Sequence, residues 1–183
     1  MSAAVPLQTA GAQALPIAGE PAPAPAGAAT DSPVLLRPAR PHDVPGITAL
    51  LEDWARRGLV LPRTEASIYR HLREYVVAAD ASGVVGCAAL RLYSPEVGEV
   101  CALAVAESRH GTGLGRRLVE AVMEGARDLG LRRLFALTLQ EGFFARLGFE
   151  RAAIAEFPGK LEQDCAGCLL RSRCAEVCVA RDL

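Results

Sequence analysis

His110-Gly111-Thr112-Gly113-Leu114-Gly115-Arg116 stands between an apolar run ending at Val105 and a segment whose apolar residues recur at helical spacing. Glycines let a backbone turn tightly and bring successive N–H groups to a ligand with no side chain in the way. The helix behind such a turn presents unpaired N–H donors and the positive end of its dipole. An anion is stabilised there, a pyrophosphate being the natural guest. No Gly-Lys-Ser/Thr follows, which excludes a Walker-type loop. The strands before the turn form a meander, which does not suit a dinucleotide-binding strand–helix–strand unit. Taken alone, the glycines also read as a tight structural turn.

Outward from the turn, Leu114, Leu118, Val119, Val122, Met123 and Ala126 line one helix face, and Gly130 stops that helix. Upstream, Val34–Arg37 reads as a strand, Val44 to Trp54 as a helix ended by Gly58, and Thr64 as the cap of a short helix. Three strands follow at Tyr75–Ala79, Val84–Tyr93 and Glu99–Val105, joined by the turns Asp80–Gly83 and Pro95–Gly98. Downstream come a strand at Arg133–Thr138, a short helix at Phe143–Leu147, and strands at Glu150–Ile154 and Val177–Ala180. The fold class is α/β: a mixed central sheet in the order β-α-α-β-β-β-α-β-α-β-β, with helices on both faces.

The run Gly98-Glu-Val-Cys-Ala-Leu-Ala-Val105, five further residues, then Gly-Thr-Gly-Leu-Gly and an amphipathic helix resembles the coenzyme A site of the GNAT N-acetyltransferases. Phe143-Phe-Ala-Arg-Leu-Gly-Phe149 resembles that family's aromatic-aromatic-x-x-x-Gly-Phe signature. The resemblance implies an acetyl-CoA-dependent enzyme. The N–H groups of Gly111, Thr112, Gly113, Leu114, Gly115 and Arg116, with His110, would hold the pyrophosphate. The backbone of Leu103, Ala104 and Val105 would pair with pantetheine like an added strand. The family usually has Arg or Gln where this chain has His110, so Arg109 is expected to supply the missing charge.

Gly58-Leu-Val-Leu-Pro-Arg63, Gly86-Cys-Ala-Ala-Leu90, Gly98–Val105 and Leu134-Phe-Ala-Leu-Thr138 are similar to the acetyltransferase domain of bacterial N-acetylglutamate synthases, and Phe157-Pro-Gly-Lys-Leu-Glu-Gln-Asp-Cys-Ala-Gly-Cys168 is similar to the tail of the short, stand-alone ones. That likeness implies L-glutamate as the acceptor and the first step of arginine biosynthesis. A substrate with two carboxylates needs cations, and Arg63, Arg91 and Lys160 are the candidates, followed by Arg171 and Arg173. The acceptor attacks as a free amine, so a base must remove a proton from its ammonium. The same likeness implies that role for Glu99, in the strand leading to the pantetheine site, and a supporting hydrogen bond for Thr138. Phe144 lacks the hydroxyl that many members of the family use as acid. Two other readings stay open: a GNAT enzyme for another amine or a protein N-terminus, and a non-catalytic acyl-CoA-binding or thiol-sensing module.

Cys165, Cys168, Cys174 and Cys178 offer four thiolates near the end of the chain, enough for a structural zinc site. Reduced thiols or an iron–sulfur cluster are the alternatives. Cys87 and Cys101 fall in apolar runs and read as small core residues. The net charge of −1 argues against a nucleic-acid surface built on bulk charge. Residues 1–33 are rich in Ala and Pro and carry no Lys or Arg, so they read as a disordered arm preceding the domain at 34–183. No apolar run there is long enough for a bilayer, which makes the cytoplasm the expected location. The sequence leaves oligomeric state open, a homodimer included.

Overall fold

The computed structural model describes residues 33–168 and 171–183. All but the last residue of the Ala/Pro-rich arm lies outside the described residues, as do Leu169, Leu170 and the Arg173 side chain. The elements follow the expected order: β1 Leu35–Pro38, α1 Val44–Arg56, α2 Glu65–Arg70, β2 Tyr75–Asp80, β3 Gly83–Leu92, β4 Val97–Val105, α3 Leu114–Asp128, β5 Arg133–Thr138, α4 Glu141–Ala145, β6 Glu150–Arg151 and β7 Val177–Asp182. One element is new. Between β6 and β7, a helical turn α5 at Pro158–Lys160 continues as a π-helical turn at Leu161–Cys165.

Local chemistry sets the boundaries. Thr64 Oγ1 accepts the Ser67 N–H at 3.2 Å and caps α2. Asp43 accepts both Arg37 nitrogens and the Arg40 N–H, tying β1 to the start of α1. Those bonds hold its carboxyl at about 2, led by Arg37. The α4 helix begins two residues earlier than periodicity suggests, because Thr138 Oγ1 accepts the Gln140 N–H at 2.9 Å and turns the chain at once. β6 is shorter than the expected Glu150–Ile154. Glu156 Oε1 takes the Ala153 N–H at 2.8 Å and winds Ile154–Glu156 into a 3-10 turn.

The seven strands lie in the order β1-β2-β3-β4-β5-β7-β6. Every pairing is antiparallel except β4–β5, which is parallel and has only three register pairs, Val97↔Arg133, Gly98↔Leu134 and Glu99↔Phe135. Beyond Glu99 the two strands part. The cause lies on the other edge of β4. There Cys87 faces Ala104 and Ala89 faces Cys101, so Ala102 and Leu103 together oppose the single residue Ala88. Ala102 takes a left-handed φ of 50° to make this bulge, and a bulge bends and twists its strand.

Side chains alternate across the sheet. Val100, Leu134 and Ala136 join Leu118, Val119 and Val122 of α3 in one core. On the other face, Ile47 and Leu51 of α1 pack with Val77, Cys87 and Ala89, while Phe135, Phe157 and Cys178 form a smaller cluster. A Cβ at Gly98 would lie 2.9 Å from methyls of Leu131 and Leu90 and 3.1 Å from one of Leu134. Gly98→Ala is therefore expected to lower stability by ~1–3 kcal/mol through overpacking, measured by denaturant midpoint at unchanged slope.

Candidate active site

Where β4 leaves β5, the stretch Val100–Val105 keeps β3 on one edge and has no strand on the other among the described residues. The Val105 carbonyl is taken up within the protein by Trp54 Nε1 at 3.0 Å and His110 Nε2 at 3.1 Å. Any ligand pairing at that residue falls to its N–H. The glycine turn closes one end of this cleft. Gly111 and Gly113 have φ of 73° and 78°, and a Cβ on either would meet nothing within 4 Å. They are glycine because of backbone angle, not crowding. Gly113 is the N-cap of the fifteen-residue α3 and provides no side-chain cap, so the first N–H groups of the helix stay available. Open donors, a helix dipole and an unpaired strand edge together fit a coenzyme A pyrophosphate and pantetheine.

One expectation at the turn is corrected. Arg109 does not lend its charge there: it is buried, and its guanidinium pairs with Asp80. The exposed His110 ring stacks on Trp54 at 5.3 Å and 13°. Arg116 is exposed and bonded to Glu120 at 2.7 Å. Beside it a cavity of about 430 Å³ is lined by Arg116, Arg127, Arg146 and Arg181.

Glu99 sits at the fork of β4 and β5. Its neighbours Gly98 and Val100 face the α3 core, so Glu99 points to the opposite face. It is 3% exposed and accepts from Lys160 Nζ and the Tyr93 hydroxyl, each at 2.9 Å. Lys160 Nζ also lies 2.9 Å from Asp164, one helical turn on along the α5 segment. The Tyr93 hydroxyl makes a second, short hydrogen bond to Asp164. Arg91 lies 3.4 Å from Glu74 and 3.8 Å from Asp164. Burial raises the Glu99 carboxyl above the usual carboxylate range, although Lys160 and Tyr93 pull against it. Burial pulls Lys160 down, but Glu99 and Asp164 outweigh it and hold the amine above its usual value.

The candidate cations converge on this face. Arg63, Arg91 and Lys160 all act electrostatically on the Cys101 thiol, which burial still pushes up to about 12. Arg63 also acts on Tyr75 and Cys87. Among the described residues, Arg63 has no hydrogen-bond or ion-pair partner, whereas Arg91 and Lys160 face carboxylates of the protein itself. Thr138 is not brought to Glu99. Phe135 pairs with Glu99 and shares its face, and Thr138, three residues on, falls on the α3 face.

The tail cysteines do not form the expected zinc site. Cys178 is held in β7 among Phe135, Phe157 and Ala180, while Cys174 is exposed. Among the described residues no three His, Cys, Asp or Glu side chains come together as metal ligands. Tyr93 and Asp164 were missed from sequence. The i, i+4 spacing of Lys160 and Asp164 was the available signal, hidden because Pro158-Gly159 reads as a turn.

The sequence profile described as the acetyltransferase (GNAT) family matches residues 44–149, from the first residue of α1 to Phe149. This chain belongs to that family. As a GNAT protein it is an acetyl-CoA-dependent N-acetyltransferase. An uncharacterised N-acetyltransferase of Chlorobaculum tepidum is 34% identical over 148 residues, covering 81% of this chain and 96% of that one. The amino-acid acetyltransferase of Mycobacterium tuberculosis is 38% identical over 118 residues, 63% of this chain and 67% of its own. Among solved structures, N-acetylglutamate synthase from Neisseria gonorrhoeae complexed with coenzyme A and N-acetyl-glutamate matches with a TM-score of 0.75 at 29% identity. That match covers 84% of this chain, which spans 36% of the Neisseria chain. No helix among the described residues of this GNAT domain is long and apolar enough to cross a membrane.

Proposed function

We propose that this GNAT enzyme transfers acetyl from acetyl-coenzyme A to the α-amino group of L-glutamate. The observation that carries the proposal is Arg63, a guanidinium without a carboxylate partner among the described residues, on the face that presents Glu99. An Arg that faces no protein anion is suited to a two-point grip on a substrate carboxylate. Relatives named amino-acid acetyltransferase and the Neisseria complex with N-acetyl-glutamate support the same acceptor.

In this reading the N–H groups from Gly111 to Arg116 hold the pyrophosphate. The open edge of β4 at Leu103 and Val105 aligns the pantetheine and brings the thioester toward Glu99. Acetyl-coenzyme A supplies an activated carbonyl with a thiolate leaving group. Glu99 removes a proton from the acceptor ammonium, and its raised pKa makes it a stronger base than an exposed carboxylate. The freed amine attacks the carbonyl carbon, the C–S bond breaks, and the departing thiolate takes up the second proton that the new amide nitrogen gives off. Lys160 orients Glu99 in place of the substrate-gripping role expected of it, because two protein carboxylates already occupy its ammonium.

A thiol-release assay against a panel of amino acids, polyamines and peptide N-termini tests the acceptor. Glutamate is expected to give the highest kcat/KM. Turnover with another amine and none with glutamate overturns the assignment.

A further inference from the structure

We propose that Tyr93 and Asp164 form the exit path for the proton that Glu99 removes from the acceptor. This rests on the reading of Glu99 as the base. After each turnover Glu99 carries a proton and must lose it before the next. Its side chain is only 4% exposed, whereas that of Asp164 is 33% exposed. The Tyr93 hydroxyl touches both, Glu99 Oε2 at 2.9 Å and Asp164 Oδ2 through a short bond.

A phenol carries one proton and also accepts. With both carboxylates ionised, Tyr93 can donate to only one of them. Once Glu99 is protonated, every contact is satisfied: Glu99 donates to the Tyr93 oxygen and Tyr93 donates to Asp164. The proton on Glu99 then moves to the phenol oxygen as the phenol proton moves to Asp164, and Asp164 releases it to water. Tyr93 remains a neutral phenol, its O–H now turned toward the ionised Glu99. Burial and the two carboxylates raise the Tyr93 pKa, which suits a paired exchange and not a free phenolate. Burial would raise Asp164, but Tyr93, Lys160 and Arg91 hold it low, so it gives up a proton readily. Lys160 Nζ spans the same two carboxylates at 2.9 Å but has no lone pair to accept a proton, so it fixes the geometry. The other groups around the path are Arg91 with Glu74 beside it, Cys101, Arg63 across Cys101, Cys165 next to Asp164, and Cys178.

Tyr93→Phe removes the hydroxyl and keeps the ring that packs against Phe135. Its kcat is expected to fall about tenfold, less than the ~100- to 10,000-fold for losing the base itself. KM for both substrates should stay within about twofold. Imidazole added as a small external base should restore much of the kcat in Tyr93→Phe and leave the wild type unaffected. Asp164→Asn keeps an acceptor for the phenol but cannot pass on the proton, and should show the same loss and the same rescue. Wild-type kcat in both variants, or a loss that imidazole does not repair, overturns the relay. If Glu99→Gln is itself fully active, the base assignment fails instead, and the relay with it.

Discussion

Glu99→Gln is expected to lower kcat at neutral pH by ~100- to 10,000-fold while acetyl-coenzyme A binds as before. The amide keeps the volume of the carboxylate and still offers an oxygen to Lys160 Nζ and the Tyr93 hydroxyl, both 2.9 Å away in the wild type. Lys160 keeps Asp164 at 2.9 Å, so the substitution does not leave a buried ammonium without an anion, the situation that destabilises folds. The pH dependence separates the base from a structural residue. Burial raises the Glu99 carboxyl above its usual value, so wild-type kcat/KM should rise on an acid limb displaced upward from the ordinary carboxylate range. The variant lacks that limb. Its deficit should shrink as alkaline pH supplies free amine from solution. Wild-type kcat in Glu99→Gln at neutral pH would remove Glu99 from the mechanism.

The second large effect is expected at Arg63. Arg63→Ala should raise KM for glutamate by about ten- to a hundredfold, the equivalent of the roughly 1.5–3 kcal/mol of a charge-assisted bond. KM for acetyl-coenzyme A should hardly change, since the features assigned to that ligand are backbone groups of β4 and the turn before α3. Arg63→Lys should recover part of the loss, because an ammonium lacks the planar two-point contact. Stability should be little affected: among the described residues, Arg63 makes no hydrogen bond or ion pair that truncation could break. Equal weakening of both substrates would mark Arg63 as structural and move the carboxylate grip to Arg91.

The sequence was most legible where local chemistry and periodicity agree. The helical stripe of α3, the Thr64 cap and the glycines at 111 and 113 each report a backbone requirement that neighbouring residues reveal. Boundaries slipped where one side chain overrode the pattern, as Thr138 did in starting α4 early. Glu99 was readable because it stands in the strand before the glycine turn. Tyr93 and Asp164 were not, since they stand 71 residues apart and meet only through the tertiary fold. The cysteine spacing misled for the same reason: strand pairing places Cys178 opposite Leu137, inside the sheet, whatever its distance in sequence from Cys174.

The gap between β4 and β5 is a property of main chain. It is marked by the three register pairs between the strands and by the left-handed turn at Ala102 on the other edge of β4. The features assigned to the acyl donor are therefore largely indifferent to which residues decorate the opposite face. On that assignment, Arg63, Arg91 and Cys101 could be exchanged for other side chains, and a new acceptor admitted, without rebuilding the proposed grip on coenzyme A. Directed evolution of this scaffold should find altered amine preference far more readily than altered donor preference.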